Sequence, residues 1–336
     1  MIVAINVRPV SGPWGGGNNF VKALIDALEA RGDTVVFDLS GSRIDIILIV
    51  DPRPRNPARS FSPGAALRRK DALVVHRINE CDERKGGKGM NARLRLANLA
   101  ADHTVFIASW LQKLAVWRRQ GPCSVILNGA DSRVFHDHGK DDWNGQEPLR
   151  LVTHHWGAHA FKGFDVYAHI DSLLDIPAWR QRLSFTYIGN MPQDFRSRNI
   201  CHLPALDARA LADELRRHHV YITASINEPA GMHHIEGALC GLPVLYRTSG
   251  ALPEYCAEFG EPFSGPGDVD QALERICASY LLLRQRLPET ARTAKQMCAE
   301  YLALFDAMIK ERETIVAARK RWHHPLDWLL NQMAFL

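Results

Sequence analysis

One stretch of the sequence decides how the chain folds: residues 220–246 read VYITASINEPAGMHHIEGALCGLPVLY. It begins with β-branched and aromatic residues, which are typical of a buried strand. A polar loop with Gly231 follows, and residues 234–240 then predict a short helix that a Gly-Leu-Pro sequence ends. A second strand opens directly after the proline. Strands that alternate with helices in this way indicate a parallel sheet in a doubly wound domain.

The same alternation extends outward from this stretch in both directions. We predict strands at residues 2–7, 34–38, 44–50, 72–76, 104–108, 124–127, 149–153, 183–188, 220–224 and 244–246. We predict helices at residues 20–30, 109–119, 166–174, 208–218, 234–240 and 308–321, with Ser109 and Asp207 as helix caps. The pattern restarts at Leu149, after a polar linker at residues 136–147. It therefore predicts an α/β protein with two Rossmann-like domains.

The predicted domain bounds are residues 1–140 for the first domain and 148–305 for the second, with a helical tail at 306–336. The tail ends in an apolar segment, residues 327–335. This segment could contact a membrane surface. The alternative, which we favour, is a C-terminal helix that packs back on the N-terminal domain, because terminal helices are usually ordered by docking.

Composition narrows the class of protein. A hydrophobic share of 46 % and a charged share of 23 % are those of a folded soluble protein and not of a disordered one. The longest apolar run, residues 44–50, is too short to span a bilayer, and the N-terminus does not resemble a signal peptide. The seven cysteines are scattered without a Cys-x-x-Cys pair, which argues against a disulfide framework or a zinc ribbon and predicts a cytoplasmic protein.

Charge is distributed unevenly along the chain. Residues 1–145 contain 21 basic and 15 acidic residues, whereas the rest contain 20 and 22. A basic N-terminal half fits peripheral contact with an anionic membrane or a phosphate-bearing acceptor, and it equally fits an ordinary solvated surface. Nucleic acid is not expected as a partner, because no recognition module of the usual kinds is found.

Two carboxylates occur in the opening stretch, one in the loop and one in the predicted helix. Glu228 precedes the predicted helix and Glu236 lies inside it, so they would meet one ligand at different depths. Backbone N–H groups at a helix start attract phosphate, and Gly231 allows a close approach. A carboxylate that accepts two hydroxyl hydrogen bonds suits a ribose or a hexose. The alternative is a surface glutamate followed by a helix-capping one.

This segment resembles the donor-binding signature of a large family of retaining GT-B glycosyltransferases, the family numbered four, which includes sucrose synthases and bacterial polysaccharide mannosyltransferases. The shared features are a Glu, seven residues and a second Glu, a Gly three residues after the first Glu, and a Cys-Gly-x-Pro-Val ending. Further segments resemble the family in the same order, and they are residues 15–17, 109–111, 128–135, 161–165 and 249–254. The resemblance covers roughly residues 1–265.

The resemblance implies a role for each matching residue. Glu228 would contact hydroxyls of the donor sugar and Glu236 would hold the nucleotide ribose. Lys162, in Phe-Lys-Gly-Phe-Asp, would neutralise the leaving diphosphate. A lysine and a helix start supply positive charge without a metal, so no metal or cofactor is expected beyond the nucleotide-sugar itself.

Backbone groups complete the implied donor site. The amides of Gly231, Met232 and His233 would face the diphosphate. The glycine loop that contains Gly16 and Gly17 would face the donor phosphate and the acceptor.

One position departs from the family pattern. The family usually has an Arg five residues before the Lys, and this sequence has Gly157 there. His155, Trp156 or His159 are candidates to replace that arginine. The histidines also permit a zinc hypothesis, which we do not favour because adjacent His pairs point in different directions and no ligand set is complete.

His76 is the candidate from the N-terminal domain. It is followed by a basic segment, residues 77–89, and loops at the carboxyl ends of parallel strands line ligand crevices. We predict that His76 acts in transfer and that the basic segment contacts a phosphate-bearing acceptor. The alternative is a solvated loop without a role in the reaction.

The sequence thus predicts a retaining, metal-independent glycosyltransferase that moves a sugar from a nucleotide-sugar to a glycan or lipid-linked glycan in bacterial surface polysaccharide synthesis. The rival hypotheses are a non-catalytic GT-B partner subunit, and a nucleotide-sugar epimerase or NAD-dependent dehydrogenase. The sugar, the base, the linkage, the acceptor and the oligomeric state are left open.

Overall fold

The computed structural model describes residues 1–10, 16–53, 61–119 and 121–319. They form two compact units. The first unit contains residues 1–10, residues 17–128 and the chain from Lys295 onward. The second consists mainly of residues 129–294. Both units are α/β, as the alternation in the sequence predicts.

The first unit is built on a six-stranded parallel sheet in the order β2-β1-β3-β4-β5-β6. Its strands are β1 (Ile2–Ile5), β2 (Thr34–Val36), β3 (Ile46–Ile49), β4 (Leu73–Ile78), β5 (His103–Phe106) and β6 (Cys123–Val125). The helices α1 (Gly16–Ala30) and α2 (Met90–Asn98) belong to it. Every residue of β3 and β4 is buried, which explains why these strands are almost continuously apolar.

The second unit repeats this architecture with the order β12-β11-β10-β7-β8-β9. Its strands are β7 (Leu149–His155), β8 (Leu183–Gly189), β9 (Cys201–Leu203), β10 (Val220–Thr223), β11 (Val244–Arg247) and β12 (Gly260–Phe263). Its helices are α3 (Phe164–Leu173), α4 (Pro177–Arg180), α5 (Ala208–Arg216), α6 (His233–Leu239), α7 (Leu252–Cys256) and α8 (Val269–Thr290). The predicted cap of α5 is confirmed, since Asp207 accepts hydrogen bonds from the amides of Arg209 and Ala210.

The chain returns to the first unit through α9 (Ala294–Lys310) and α10 (Arg312–Ala317). Arg312 donates to the buried carboxylate of Asp45 at 2.8 Å. Arg319 donates to both oxygens of Asp102 at 2.9 and 2.7 Å. The predicted packing of the C-terminal helix on the N-terminal domain is therefore confirmed for the described residues. The apolar segment 327–335 lies outside them.

The start of α1 differs from the prediction. The helix begins at Gly16, so Gly16 and Gly17 lie in its first turn and not in a loop. The Asn18 side chain joins this turn to the backbone of Val10 by two hydrogen bonds. Its oxygen accepts from the Val10 amide at 2.8 Å, and its nitrogen donates to the Val10 carbonyl at 3.0 Å. Gly15, which belonged to the predicted glycine loop, lies outside the described residues.

The predicted helix at residues 109–119 is wrong. A short 3₁₀ helix covers only Ser109–Lys113, and Leu114 is extended. The following residues turn back because the Trp117 ring packs edge-on against Phe106, with ring centres 4.9 Å apart. Its indole N–H donates to the Gln112 carbonyl at 3.1 Å, which fixes the turn. Tertiary packing here overrides a helical spacing.

Several helices escaped the sequence analysis. The helix α2 follows a loop in which the Asp82 carboxylate accepts hydrogen bonds from the amides of residues 89–91. The long helix α8 contains Pro288 near its end, which obscures its pattern. Among the described helices, none is long and apolar enough to cross a membrane.

Candidate active site

The site lies where the strand order of the second sheet reverses. From β7 the chain proceeds through β8 and β9 on one side, and β10, β11 and β12 lie on the other. The loops after β7 and β10 therefore diverge and leave a crevice at the carboxyl ends of these two neighbouring strands. Lys162 follows β7, and Glu228 follows β10.

The loop that carries Glu228 is fastened to its neighbours through the backbone. The Ile226 amide donates to the Phe161 carbonyl at 2.8 Å, and the Ala251 amide donates to the Glu228 carbonyl at 2.9 Å. Gly250 has a φ of +59°, and a Cβ there would lie 2.5 Å from the Glu228 carbonyl oxygen. The loop thus has contacts on both sides and presents Glu228 from a fixed backbone.

Lys162 and Glu228 form a buried ion pair. The Lys162 Nζ donates to Glu228 Oε2 at 2.5 Å, and their side chains are 7 % and 4 % exposed. Burial of two charges has a large desolvation cost, which their mutual attraction offsets only with good geometry. A protein without a use for these charges would be expected to have apolar side chains at such positions.

Close backbone contact places Lys162. Gly163 has a φ of +87°, and a Cβ there would lie 2.3 Å from both the Cβ and the carbonyl oxygen of Ala224, at the end of β10. The Asp165 carboxylate binds Arg247 at the end of β11, at 3.1 and 3.0 Å. The Lys-Gly-x-Asp sequence therefore has a local explanation: the glycine permits the approach to β10, and the aspartate ties the turn to β11.

Glu236 projects from α6 into the same region. Its Oε2 lies 2.8 Å from Nε2 of His154, near the end of β7. The helix approaches β10 closely because Gly237 has no side chain, since a Cβ there would lie 2.5 Å from the Tyr221 ring. The structure thus pairs Lys162 with Glu228, and it places Glu236 against His154 at the end of the neighbouring strand β7.

The loop residues predicted to face the diphosphate lie between the two glutamates. A Cβ at Gly231 would lie 2.4 Å from the His233 ring and 3.3 Å from the Glu228 carboxyl carbon. His233 is buried, and its Nε2 lies 2.9 Å from the Thr223 hydroxyl. Met232, also buried, directly precedes the first residue of α6.

The buried histidines of this region are neutral. Burial is the main cause that holds the pKa values of His155 and His233 well below their usual range, with nearby Lys162 adding to it. Burial likewise lowers the pKa of His234 to about 3, and neither of its ring nitrogens has a hydrogen-bond partner in the described chain. These rings are polar without being cations.

The neutral state of these histidines reduces the number of residues that could replace the positive charge of the arginine that the family has at position 157. His155 is neutral and its Nε2 bonds to the Tyr167 hydroxyl at 2.8 Å, so it does not supply the positive charge. The Trp156 side chain is 52 % exposed. His159 is the neighbour of Gly157, because a Cβ on that glycine would lie 3.4 Å from the His159 ring and 4.0 Å from Lys162 Cε.

The histidines do not form a metal centre in the described part of the chain. No group of three or more His, Cys, Asp or Glu side chains there has an arrangement that could hold a metal ion. The histidine rings instead pack against one another and against tyrosines, as His155 and His233 do edge to face with ring centres 4.8 Å apart.

His76 lies in a different setting from the one predicted. Strand β4 continues to Ile78, so His76 is inside the strand and not on the loop that follows it. It is fully buried, and burial lowers its pKa to about 3. Its Nδ1 lies 3.3 Å from the Asn98 side-chain nitrogen. The structure thus gives His76 a place in the core of the first unit, and its predicted role in transfer has no support from this placement.

The sequence analysis missed the contacts of three residues, which are Arg77, Tyr221 and His154. Arg77 is 1 % exposed, and its guanidinium lies 3.9 Å from the centre of the Phe20 ring. It donates to Asn128, of the Asn-Gly-Ala-Asp segment, at 2.8 Å. A buried arginine is visible in sequence only as a charge inside a strand, which is a signal that could have been used. Nothing local marks the other two.

The fold is that of solved glycosyltransferases. Sucrose-phosphate synthase from Thermosynechococcus elongatus matches with a TM-score of 0.64 at 17 % identity, covering 92 % of this chain and 99 % of that one. A glycosyltransferase from Rickettsia africae matches with a TM-score of 0.62 at 12 % identity, covering 92 % and 99 %. HepE of Anabaena in complex with UDP-glucose matches with a TM-score of 0.59 at 14 % identity, covering 90 % and 99 %.

No family model matches the sequence, and no curated protein matches it. The likeness is therefore one of fold over nearly the whole chain at low identity. It confirms the predicted pair of Rossmann-like α/β units.

Proposed function

We propose that the chain is a glycosyltransferase that uses a nucleotide-sugar donor. The observation that carries the proposal is the buried Lys162–Glu228 pair at the switch point of the second sheet, with Glu236 against the end of β7, on the fold of known glycosyltransferases. A glycosyl transfer breaks the bond between the anomeric carbon and the diphosphate oxygen and forms a bond to an acceptor hydroxyl oxygen. The acceptor hydroxyl gives its proton to the departing diphosphate oxygen.

The leaving diphosphate sets the main electrostatic demand. Lys162 is the charge that meets it, since a fixed cation in a water-poor site stabilises developing negative charge strongly. In the free protein Glu228 holds this ammonium group at 2.5 Å. With donor bound, Glu228 accepts from hydroxyls of the sugar and Glu236 accepts from the ribose, and the amides of residues 231–233 face the phosphates.

The donor base is best sought first among uridine nucleotides. HepE, a structure of similar fold, has been solved with UDP-glucose. The motifs shared with retaining GT-B enzymes support retention of anomeric configuration and a reaction without a metal. The basic N-terminal half supports a phosphate-bearing or lipid-linked glycan acceptor at the cytoplasmic face of a membrane, in surface polysaccharide synthesis.

The test is a thermal-shift screen of the full chain against UDP, GDP, dTDP and ADP and their common sugar conjugates. At about a hundred times its Kd a ligand stabilises the native state by about 2.7 kcal/mol, which gives a clear rise in Tm. We expect a rise with one base, and its loss in Glu236→Ala. No rise with any nucleotide, in a protein that unfolds cooperatively, would refute the proposal.

A non-catalytic subunit with the same fold is the second candidate. The observation that favours it is Gly157, which stands where the resembling family has an arginine. This candidate predicts that a nucleotide-sugar binds but is never turned over. Release of the nucleoside diphosphate from the bound donor, followed with and without a chelator, separates the two candidates and also tests whether a metal is needed.

A further inference from the structure

His154 stands where two neighbouring strands stop pairing. β7 and β10 are paired through Val152 and Tyr221, and the two chains diverge beyond this pair. The His154 amide therefore has no strand partner on that side, and it donates to the Tyr221 hydroxyl at 3.0 Å. The Tyr221 hydroxyl thus replaces the missing backbone acceptor and adds one hydrogen bond beyond the last strand pair, at the edge of the crevice.

The His154 ring lies between Tyr221 and Glu236. Its Nε2 is 2.8 Å from Glu236 Oε2, and its Nδ1 is 3.2 Å from the Tyr221 hydroxyl. A carboxylate only accepts, so Nε2 carries the hydrogen and, in the neutral imidazole, Nδ1 is an acceptor. The Tyr221 hydroxyl remains a donor because burial raises its pKa well above the usual range. The Tyr221 hydroxyl also lies 3.3 Å from the His154 carbonyl oxygen, so its one hydrogen has two acceptors on the same residue. Tyr221 thus holds His154 in place, and His154 Nε2 donates to Glu236.

The contact leaves half of the Glu236 carboxylate available. Within the described residues, Oε2 is the oxygen that accepts from the protein, and Oε1 has no hydrogen-bond partner. The helix that carries Glu236 lies directly against the Tyr221 ring, because Gly237 has no side chain to separate them. Tyr221 thus sets both the position of the helix and, through His154, the orientation of the carboxylate.

We propose that His154 is a positioning residue that orients Glu236 so that Oε1 accepts from the ribose hydroxyls, and that it thereby determines preference for ribose over 2′-deoxyribose. This inference rests on the proposed function, in which Glu236 meets the ribose. A carboxylate that rotates freely loses conformational entropy when it binds the ribose, and this weakens binding. Because His154 fixes the carboxylate beforehand, it affects donor affinity and sugar discrimination and not the rate of the chemical step.

The test compares UDP with 2′-deoxy-UDP, and GDP with 2′-deoxy-GDP, by calorimetric titration of the full chain. A hydrogen bond to a charged group corresponds to about ten- to hundredfold in affinity, and we expect at least about tenfold preference for ribose in the wild type. In His154→Ala the preference should fall to within about threefold, and Kd for the ribonucleotide should rise. His154→Gln, whose amide donates to Glu236, should restore part of the preference.

The matched control is His169→Ala. His169 also pairs a ring nitrogen with a carboxylate in the second unit, Asp270 at 2.7 Å, and it is not part of the site. This variant should keep the wild-type preference. Tyr221→Phe keeps the ring that supports α6 and should lower the preference less than His154→Ala does.

The outcomes separate the inference from the function on which it rests. A wild-type preference that persists in folded His154→Ala overturns the inference while Glu236→Ala still abolishes binding. A wild type that binds both sugars equally overturns it as well. If no nucleoside diphosphate binds at all, the proposed function fails with it, whereas binding of dTDP alone overturns only the inference. Should His154→Ala not fold, His154→Gln and Tyr221→Phe give the answer.

Discussion

The two units are both built on a six-stranded parallel sheet whose strand order reverses once, and they differ in the side chains that lie at that switch point. In the first sheet the order reverses between β1 and β3, and in the second between β7 and β10. In the first unit, buried Asn6 bridges the two strand ends, accepting from the Val50 amide at 2.7 Å and donating to the Asp51 carbonyl at 2.8 Å. In the second, Lys162 and Glu228 occupy the corresponding region. A reversal of strand order leaves a crevice in each sheet, and the side chains there determine its chemistry.

The two units also differ in how many neutral histidines they bury. Burial lowers the pKa of one buried histidine in the first unit, His76, and of the half-buried His103. In the second unit it lowers the pKa of five buried histidines, and of the half-buried His136. The five are His155, His218, His219, His233 and His234. Each remains neutral in the folded protein at a pH where it takes up a proton in the unfolded chain. The second unit should therefore be the more sensitive to acid.

Acidification is expected to have the largest effect. A histidine with a lowered folded pKa contributes its full share of stability above its unfolded pKa of about 6.5, and that share is lost as the pH falls from there toward the folded pKa. The folded pKa is about 3 for His219 and His234, so the loss continues through pH 5. The upper limit is about 1.4 kcal/mol per pH unit for each histidine.

Hydrogen exchange resolved by peptide, at pH 7 and pH 5, measures this prediction in both units at once. The second unit should lose several kcal/mol of protection, corrected for the intrinsic exchange rate, and the first unit less. Equal losses in both units would show that the buried histidines do not set the acid sensitivity.

Breaking a buried ion pair in each unit should have the next largest effect. Glu228→Gln removes the negative charge that faces Lys162. Arg319→Met removes the positive charge that faces Asp102, whose side chain is 3 % exposed and keeps its hydrogen bond from the Val74 amide. Each should cost about 3–5 kcal/mol of unfolding free energy, because an uncompensated charge remains buried. Only Glu228→Gln should also abolish donor turnover.

Urea unfolding gives the stabilities and a coupled assay gives the turnover. The double variant Lys162→Met/Glu228→Gln serves as a control, since it removes both charges and should be more stable than Glu228→Gln alone. Turnover that survives in Glu228→Gln, or that is lost in folded Arg319→Met, would remove the functional distinction between the two pairs.

Two glycines with the same backbone conformation give the smallest and cleanest comparison. Gly32 in the first unit has a φ of +86° with open space around its Cβ position, and Gly163 in the second has a φ of +87° with Ala224 at 2.3 Å. Gly32→Ala should cost about 1–2 kcal/mol from backbone strain alone. Gly163→Ala should cost about 2 kcal/mol more, because the new methyl group meets backbone.

The difference between these two variants in urea unfolding isolates the contact from the strain. Gly163→Ala should also weaken donor binding, since the turn before it positions Lys162. Equal unfolding free energies for the two variants would mean that the turn moves freely away from β10.

Much of the second unit was readable in the sequence because its signals are local. The strand that starts at Leu149 is recognised by its apolar residues, and the helix after Asp207 by its apolar spacing and its cap. These signals depend only on residues close together in the sequence. The helix predicted at residues 109–119 failed because its outcome depends on Trp117 and Phe106, which only the folded unit brings together. The strand predicted at residues 72–76 ended two residues too early, because the charged Arg77 interrupts its apolar run, and His76 was therefore placed at its exposed end.

The sequence by itself determined the α/β class, the two parallel sheets, and the types of side chain at the candidate site. These follow from periodicity and from the spacing of Glu228 and Glu236, which are properties of short segments. Only the tertiary structure decided that Lys162 pairs with Glu228 and that His154 binds Glu236. Those partners lie 66 and 82 residues apart in the chain. Their meeting depends on which strands are neighbours, and no local pattern encodes that order.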